Sequence, residues 1–107
     1  MLDLSDLKKV DQFIIFSILQ TRANRATVYE IKESIKNLWL SYNIRFSKAK
    51  LGVPTSTYFY QRLSRLVLLK IIERHGTRDY SINKEHFDEI AKFNISFMKA
   101  LLGGKHV

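Results

Sequence analysis

The chain has 107 residues, 18 Lys and Arg against 10 Asp and Glu, a net charge of +8 and a pI near 9.9. That length holds one hydrophobic core and no second lobe, and 46% hydrophobic residues with 12% aromatics exclude a disordered tail. The absence of cysteine excludes disulfides, a thiolate nucleophile and cysteine-ligated zinc, and the charge balance favours a polyanionic partner.

The N-terminal segment MLDLSDLKK carries acids where a secretory signal has bases, and the apolar runs Phe13–Phe16 and Val67–Leu69 are too short to span a bilayer. A cytoplasmic location is expected, at a nucleoid or in a host cytoplasm. A first helix is predicted from Asp3 or Ser5 to Arg22, capped by one of those two residues, with Asp6 in its first turn. Its apolar stripe of Leu7, Val10, Phe13 and Ile14 is widened by Ile15, Phe16, Ile18 and Leu19. A helix at the edge of a small domain needs one buried stripe, so the excess predicts contact with another subunit.

Residues 23–26 predict a very short strand. Thr27-Val28-Tyr29-Glu30 then has the spacing of a capping box opening a second helix, with Val28, Ile31, Ile35, Leu38 and Tyr42 at helical intervals beside Trp39. From Ser41 to Gly52 the pattern decays into a basic loop or a ragged extra turn. A third helix starts near Pro54 or Thr55, with Phe59, Leu63 and Leu66 facing the core. Thr57, Gln61 and Arg65 are expected on the opposite face, with Tyr58 and Arg62 adjacent and Tyr60 partly buried.

Ile71-Ile72-Glu73-Arg74, a turn at His75-Gly76-Thr77, and Arg78 to Ile82 predict a hairpin. Asn83 is the expected cap of a last helix through Leu102, closed by Gly103-Gly104. That helix shows two apolar stripes, Phe87, Ile90, Phe97 and Leu101 on one and Ala91, Ile95, Met98 and Leu102 on the other, which suggests that the first and last helices pair across a dimer axis. The whole is expected as one domain, with a core over residues 5–83 and a dimerisation helix over 84–102.

From Ser34 to Ile72 there are seven cations and no acid: Lys36, Arg45, Lys48, Lys50, Arg62, Arg65 and Lys70, bracketed by Glu33 and Glu73. Such a segment centred on an amphipathic helix suggests a surface that meets DNA. Arg62, Arg65 and Gln61 suit base edges, with Tyr58 beside them. Thr55, Ser56 and Thr57 sit where a helix N-terminus favours phosphate. Arg74, His75, Thr77 and Arg78 suit a minor groove or the backbone. Arg45, Lys48 and Lys50 form either a second phosphate clamp or a flexible charged loop. His75, His86 and His106 lie on separate elements without helical pairing, so no metal is expected, and no catalytic constellation, small-molecule ligand or cofactor is evident.

The order of helix, helix, basic helix and hairpin resembles the winged-helix variant of helix-turn-helix, a mainly α architecture with a small β-hairpin. Leu51-Gly52-Val53-Pro54 before Ser56-Thr57, and Leu63-x-x-Leu66 before Ile71-Ile72-Glu73, are similar to the turn phrase and wing of many prokaryotic regulators. Tyr29-Glu30-Ile31, a long connection, then Thr57-Tyr58-Phe59-Tyr60-x-x-Leu63, with Arg78 to Ile82 as second wing strand, is most similar to the PadR group. The resemblance covers about residues 27–83. Two features depart from it: Lys70 replaces the usual glycine before the wing, and the connection between the second and third helices is long and basic.

The resemblance implies a homodimeric, sequence-specific double-stranded DNA-binding regulator, more in keeping with a repressor than an activator. The third helix would enter the major groove, with the wing on the backbone or minor groove. A winged helix serving as a protein-interaction or architectural module in a nucleoprotein assembly is the competing expectation.

Overall fold

A computed structural model describes residues 4–45 and 55–102. Four helices, α1 (Lys9–Leu19), α2 (Val28–Arg45), α3 (Ser56–Leu68) and α4 (Phe87–Leu102), are accompanied by a small sheet of β1 (Arg25–Thr27), β2 (Ile72–His75) and β3 (Asp79–Ile82). The sheet is antiparallel in the order β1-β3-β2. Tyr80 of β3 lies opposite Ala26 on one side and Arg74 on the other. The protein is therefore mainly helical with a minor antiparallel sheet.

α1 is shorter than its sequence suggests. It begins at Lys9, where the Asp11 carboxylate accepts the Lys8 backbone N–H at 2.8 Å and serves an amide that would otherwise be unpaired. Neither Ser5 nor Asp6 lies within it. Its apolar circumference is covered inside the chain, because α1 is the central element and packs on α2, α3, α4, β1 and β3. Phe13, Ile14 and Ile18 are completely buried, and Phe13 meets the Trp39 ring edge-on at 4.5 Å. The apolar excess that prompted the expectation of a second subunit on α1 is thus used within the chain: a helix with neighbours from five elements needs an apolar girdle, which sequence alone does not distinguish from an interface.

α2 opens with the expected reciprocal cap. Thr27 N–H donates to Glu30 Oε1 at 2.8 Å, and Glu30 N–H donates to Thr27 Oγ1 at 3.1 Å. Ile31, Ile35 and Trp39 form its buried stripe. The helix continues to Arg45, so the decaying pattern after Ser41 begins as helix. Lys48, Lys50 and Pro54 lie outside the described residues.

α3 starts where expected, with Tyr58 N–H donating to Thr55 Oγ1 at 3.1 Å, and buries Phe59, Leu63 and Leu66. Its C-terminus is closed by Lys70 in a left-handed conformation, φ 63°. Lys70 N–H donates to Val67 O and Ile71 N–H to Leu66 O, both at 3.0 Å. This is a Schellman closure, with Ile71 and Leu66 supplying the accompanying apolar contact. The departure of Lys70 from glycine thus leaves the backbone turn intact but places a Cβ in a conformation that disfavours it.

Asn83 caps a single 3-10 turn, Lys84–His86, ahead of α4, and not α4 itself. Its side chain also donates to Lys70 O at 2.6 Å, tying the end of α3 to the start of the last segment. The two apolar stripes expected on α4 are the shoulders of one broad face. Its centre is Asn94, with the buried Ile90 and Met98 each about 40° away around the helix. Asn94 is wholly buried and donates from Nδ2 to Gln12 O at 2.9 Å and to Gln12 Oε1 at 2.8 Å. Asn94 Oδ1 has no hydrogen-bond partner. Phe93 and Ile95, at the two rims of this face, remain exposed.

Candidate nucleic-acid interface

The outward side of α3 carries Thr55, Ser56, Thr57, Tyr58, Tyr60, Gln61, Ser64, Arg65 and Leu68, all exposed. Thr57, Gln61, Ser64 and Arg65 fall on the side away from Phe59, Leu63 and Leu66, as the helical period requires. Tyr58 and Tyr60 are 38% and 45% exposed, so both lie on the outward side and Tyr60, expected to be the more buried of the two, is slightly the more exposed. Tyr60 lies about 100° around the helix from Phe59 and so stands beside the core, where the Lys32 ammonium lies over its ring, 5.2 Å from the centroid, and Phe59 meets it edge-on.

Arg62 departs from its expected role. It turns inward, with its side chain 18% exposed, and grips Asp11, which is fully buried. Arg62 Nε donates to Asp11 Oδ1 at 2.7 Å, and Nη2 donates to Oδ2 at 2.6 Å. The hydrogen bond to Asp11, then its charge, hold the guanidinium above its ordinary pKa against the opposing effect of burial. The helical period explains the position: Arg62 lies about 60° from Phe59 and about 40° from Leu66, on the flank of the core. Asp11 is 51 positions away and joins the site only through the packing of α1 on α3.

The hairpin turn is Gly76-Thr77-Arg78, with Gly76 at φ 67°; His75 ends β2 and shares a 2.7 Å hydrogen bond with Ser81. Arg74 and Arg78 are exposed, and Arg74 Nε donates to Gly76 O at 3.1 Å. Asp79, next to Arg78 in sequence, is paired with Arg25 at 3.1 Å, and Glu73, next to Arg74, forms no ion pair among the described residues. Among the described residues, Lys32, Arg65, Arg74 and Arg78 have no carboxylate partner.

Between the start of α2, the flank of α3 and the hairpin lies a groove of about 560 Å³. Its cations are Lys32, Arg74 and Arg78, its rings Tyr29, Tyr60 and Tyr80, and no acid lines it. Sequence reasoning missed Tyr29, Lys32, Tyr60 and Ser64. Lys32 stands between Glu30 and Glu33, outside the acid-free stretch, yet three residues after Tyr29 on the same exposed side of α2. That spacing was the available signal.

Among the described residues no three His, Asp or Glu side chains converge as metal ligands, and no helix is long and apolar enough to cross a membrane. No protein-family model, curated protein or solved structure matches this chain.

Proposed function

We propose that the protein is a winged helix-turn-helix that binds double-stranded DNA and acts as a transcriptional regulator by occupying its site. The observation that carries this is the grouping of Lys32, Arg74 and Arg78 around a groove without acids, in a chain holding ten of them, with Arg65 on the outward side of α3 and none of the four paired with a carboxylate. An unpaired cation on a protein surface is free to neutralise a phosphate. The helix order and the three-stranded sheet suit a winged helix, with α3 presented to the major groove and the hairpin beside it. Gln61 and Arg65 are the side chains on α3 suited to base edges, and Thr55, Ser56 and Thr57 suit phosphate. Arg62 serves as a structural residue in this scheme.

The dimer rests on α4 alone, where Phe93 and Ile95 are exposed at the rims of the packed face. Sedimentation of the purified chain tests it: a monomer that binds DNA removes the dimer and keeps the winged helix. Salt titration tests the DNA reading. Four phosphate-neutralising cations give log K against log salt a slope on the order of −3.5 per protomer, doubled in a dimer. Binding that does not weaken with salt refutes it.

A further inference from the structure

The groove beside α3 holds features that a continuous duplex does not use. A duplex offers phosphates on its outside and base edges in its grooves, while the faces of its bases are covered by their neighbours. Lys32, Arg74 and Arg78 match phosphates. The hydroxyls of Tyr29, 71% exposed, and Tyr60, 45% exposed, can reach a phosphate, but their ring faces match neither phosphates nor base edges. An aromatic face in a basic channel is the feature that binds unpaired bases, since every base has a π surface. Thr27, Ser64 and Thr77 add hydroxyls to the same wall. At about 560 Å³ the groove lies within the size range of small-molecule sites, large enough for one nucleotide.

We propose that this groove holds an unpaired nucleotide, its base stacked on Tyr29, or on Tyr60 in place of the Lys32 ammonium that now lies over that ring, and its phosphate among Lys32, Arg74 and Arg78. The protein then prefers a duplex that continues into an unpaired strand over a blunt one. This rests on the DNA reading of α3. Ser64 on the groove wall and Arg65 on the outer face are consecutive residues, so a strand leaving a duplex docked on α3 meets the groove at once.

The test uses the full chain and fluorescence anisotropy with three probes: a blunt duplex, the same duplex carrying an overhang of about 4–8 nucleotides, and the overhang strand alone. The overhang duplex is expected to bind about 5- to 150-fold more tightly than the blunt one, the equivalent of about 1–3 kcal/mol of stacking. Tyr29→Ala combined with Tyr60→Ala weakens the overhang duplex more than the blunt one and so abolishes that preference, whereas Tyr29→Phe combined with Tyr60→Phe retains it. Both rings are exposed, so these variants fold.

Equal affinity for blunt and overhang duplexes overturns the proposal. So does an equal loss on both probes in the alanine variant, or loss of the preference in the phenylalanine variant. Blunt-duplex binding without overhang preference refutes the groove and spares α3. Overhang and single-strand binding that depends on the tyrosines, without blunt-duplex binding, refutes the duplex reading of α3 and spares the groove.

Discussion

Arg62→Ala separates a structural arginine from a DNA-reading one. In the native protein Asp11 is fully buried and receives two hydrogen bonds from the guanidinium, at 2.7 and 2.6 Å, and one from Lys8 N–H at 2.8 Å. Truncation removes both charge-assisted bonds, each worth about 1.5–3 kcal/mol net. It also strands a carboxylate in the core; breaking a buried pair in this way costs about 3–5 kcal/mol in all, the lost bonds included. Against the roughly 5–15 kcal/mol that stabilises a domain of this kind, that is a large fraction.

Urea denaturation followed by circular dichroism measures it, with an unchanged m-value showing that the two-state comparison holds. The double variant Asp11→Leu/Arg62→Leu removes the charge along with its partner and is expected to recover most of the loss. About 1 kcal/mol remains lost for the missing cap at Lys8. The guanidinium stays charged at every working pH, because its pKa is raised from an already high value. The stability linked to its raised pKa is present below the ordinary arginine range and is lost as pH rises through the raised value. A loss below about 1 kcal/mol in Arg62→Ala, together with weakened DNA binding, refutes the buried pair and returns Arg62 to the DNA-facing side.

Lys70→Gly is expected to stabilise by about 0.5–1 kcal/mol, since glycine adopts the left-handed closure of α3 without a Cβ penalty; thermal melts check it, and destabilisation refutes the geometry. Asn94→Leu leaves Gln12 Oε1 without the donor it now uses and is expected to cost about 1–3 kcal/mol. Gln12→Leu/Asn94→Leu, which removes both partners and the orphan Asn94 Oδ1, is expected to be more stable than Asn94→Leu. Arg65→Ala is expected to weaken duplex binding by about 1–3 kcal/mol at unchanged stability, because Arg65 is exposed and lacks a carboxylate partner. Equal affinity of Arg65→Ala and wild type on a selected duplex refutes its place on the interface. Phe93→Lys with Ile95→Lys is expected to shift any dimer to monomer in sedimentation, and a dimer that persists removes α4 as its interface.

Local chemistry was legible wherever it is settled by neighbours in the chain. Thr27 and Glu30 form their cap, Thr55 caps α3, and Phe59, Leu63 and Leu66 face inward, because each depends on spacings of three or four residues. The acid-free stretch was equally legible, as composition. What the stretch does side by side was not. Arg62 and Arg65 read alike in sequence, yet one grips Asp11 across 51 positions and the other faces solvent. The apolar girdle of α1 and the broad face of α4 looked like interfaces because a sequence does not state how many neighbours a helix has. The groove of Tyr29, Lys32, Tyr60, Arg74 and Arg78 draws on three elements and exists only once they pack. The sequence by itself determined the order of helices and strands, the caps of α2 and α3 and the excess of positive charge, the first two being consequences of short-range geometry. The tertiary structure decided which cations are spent on the protein's own acids and which remain for a partner, because pairing depends on distances in space that the order of residues does not carry.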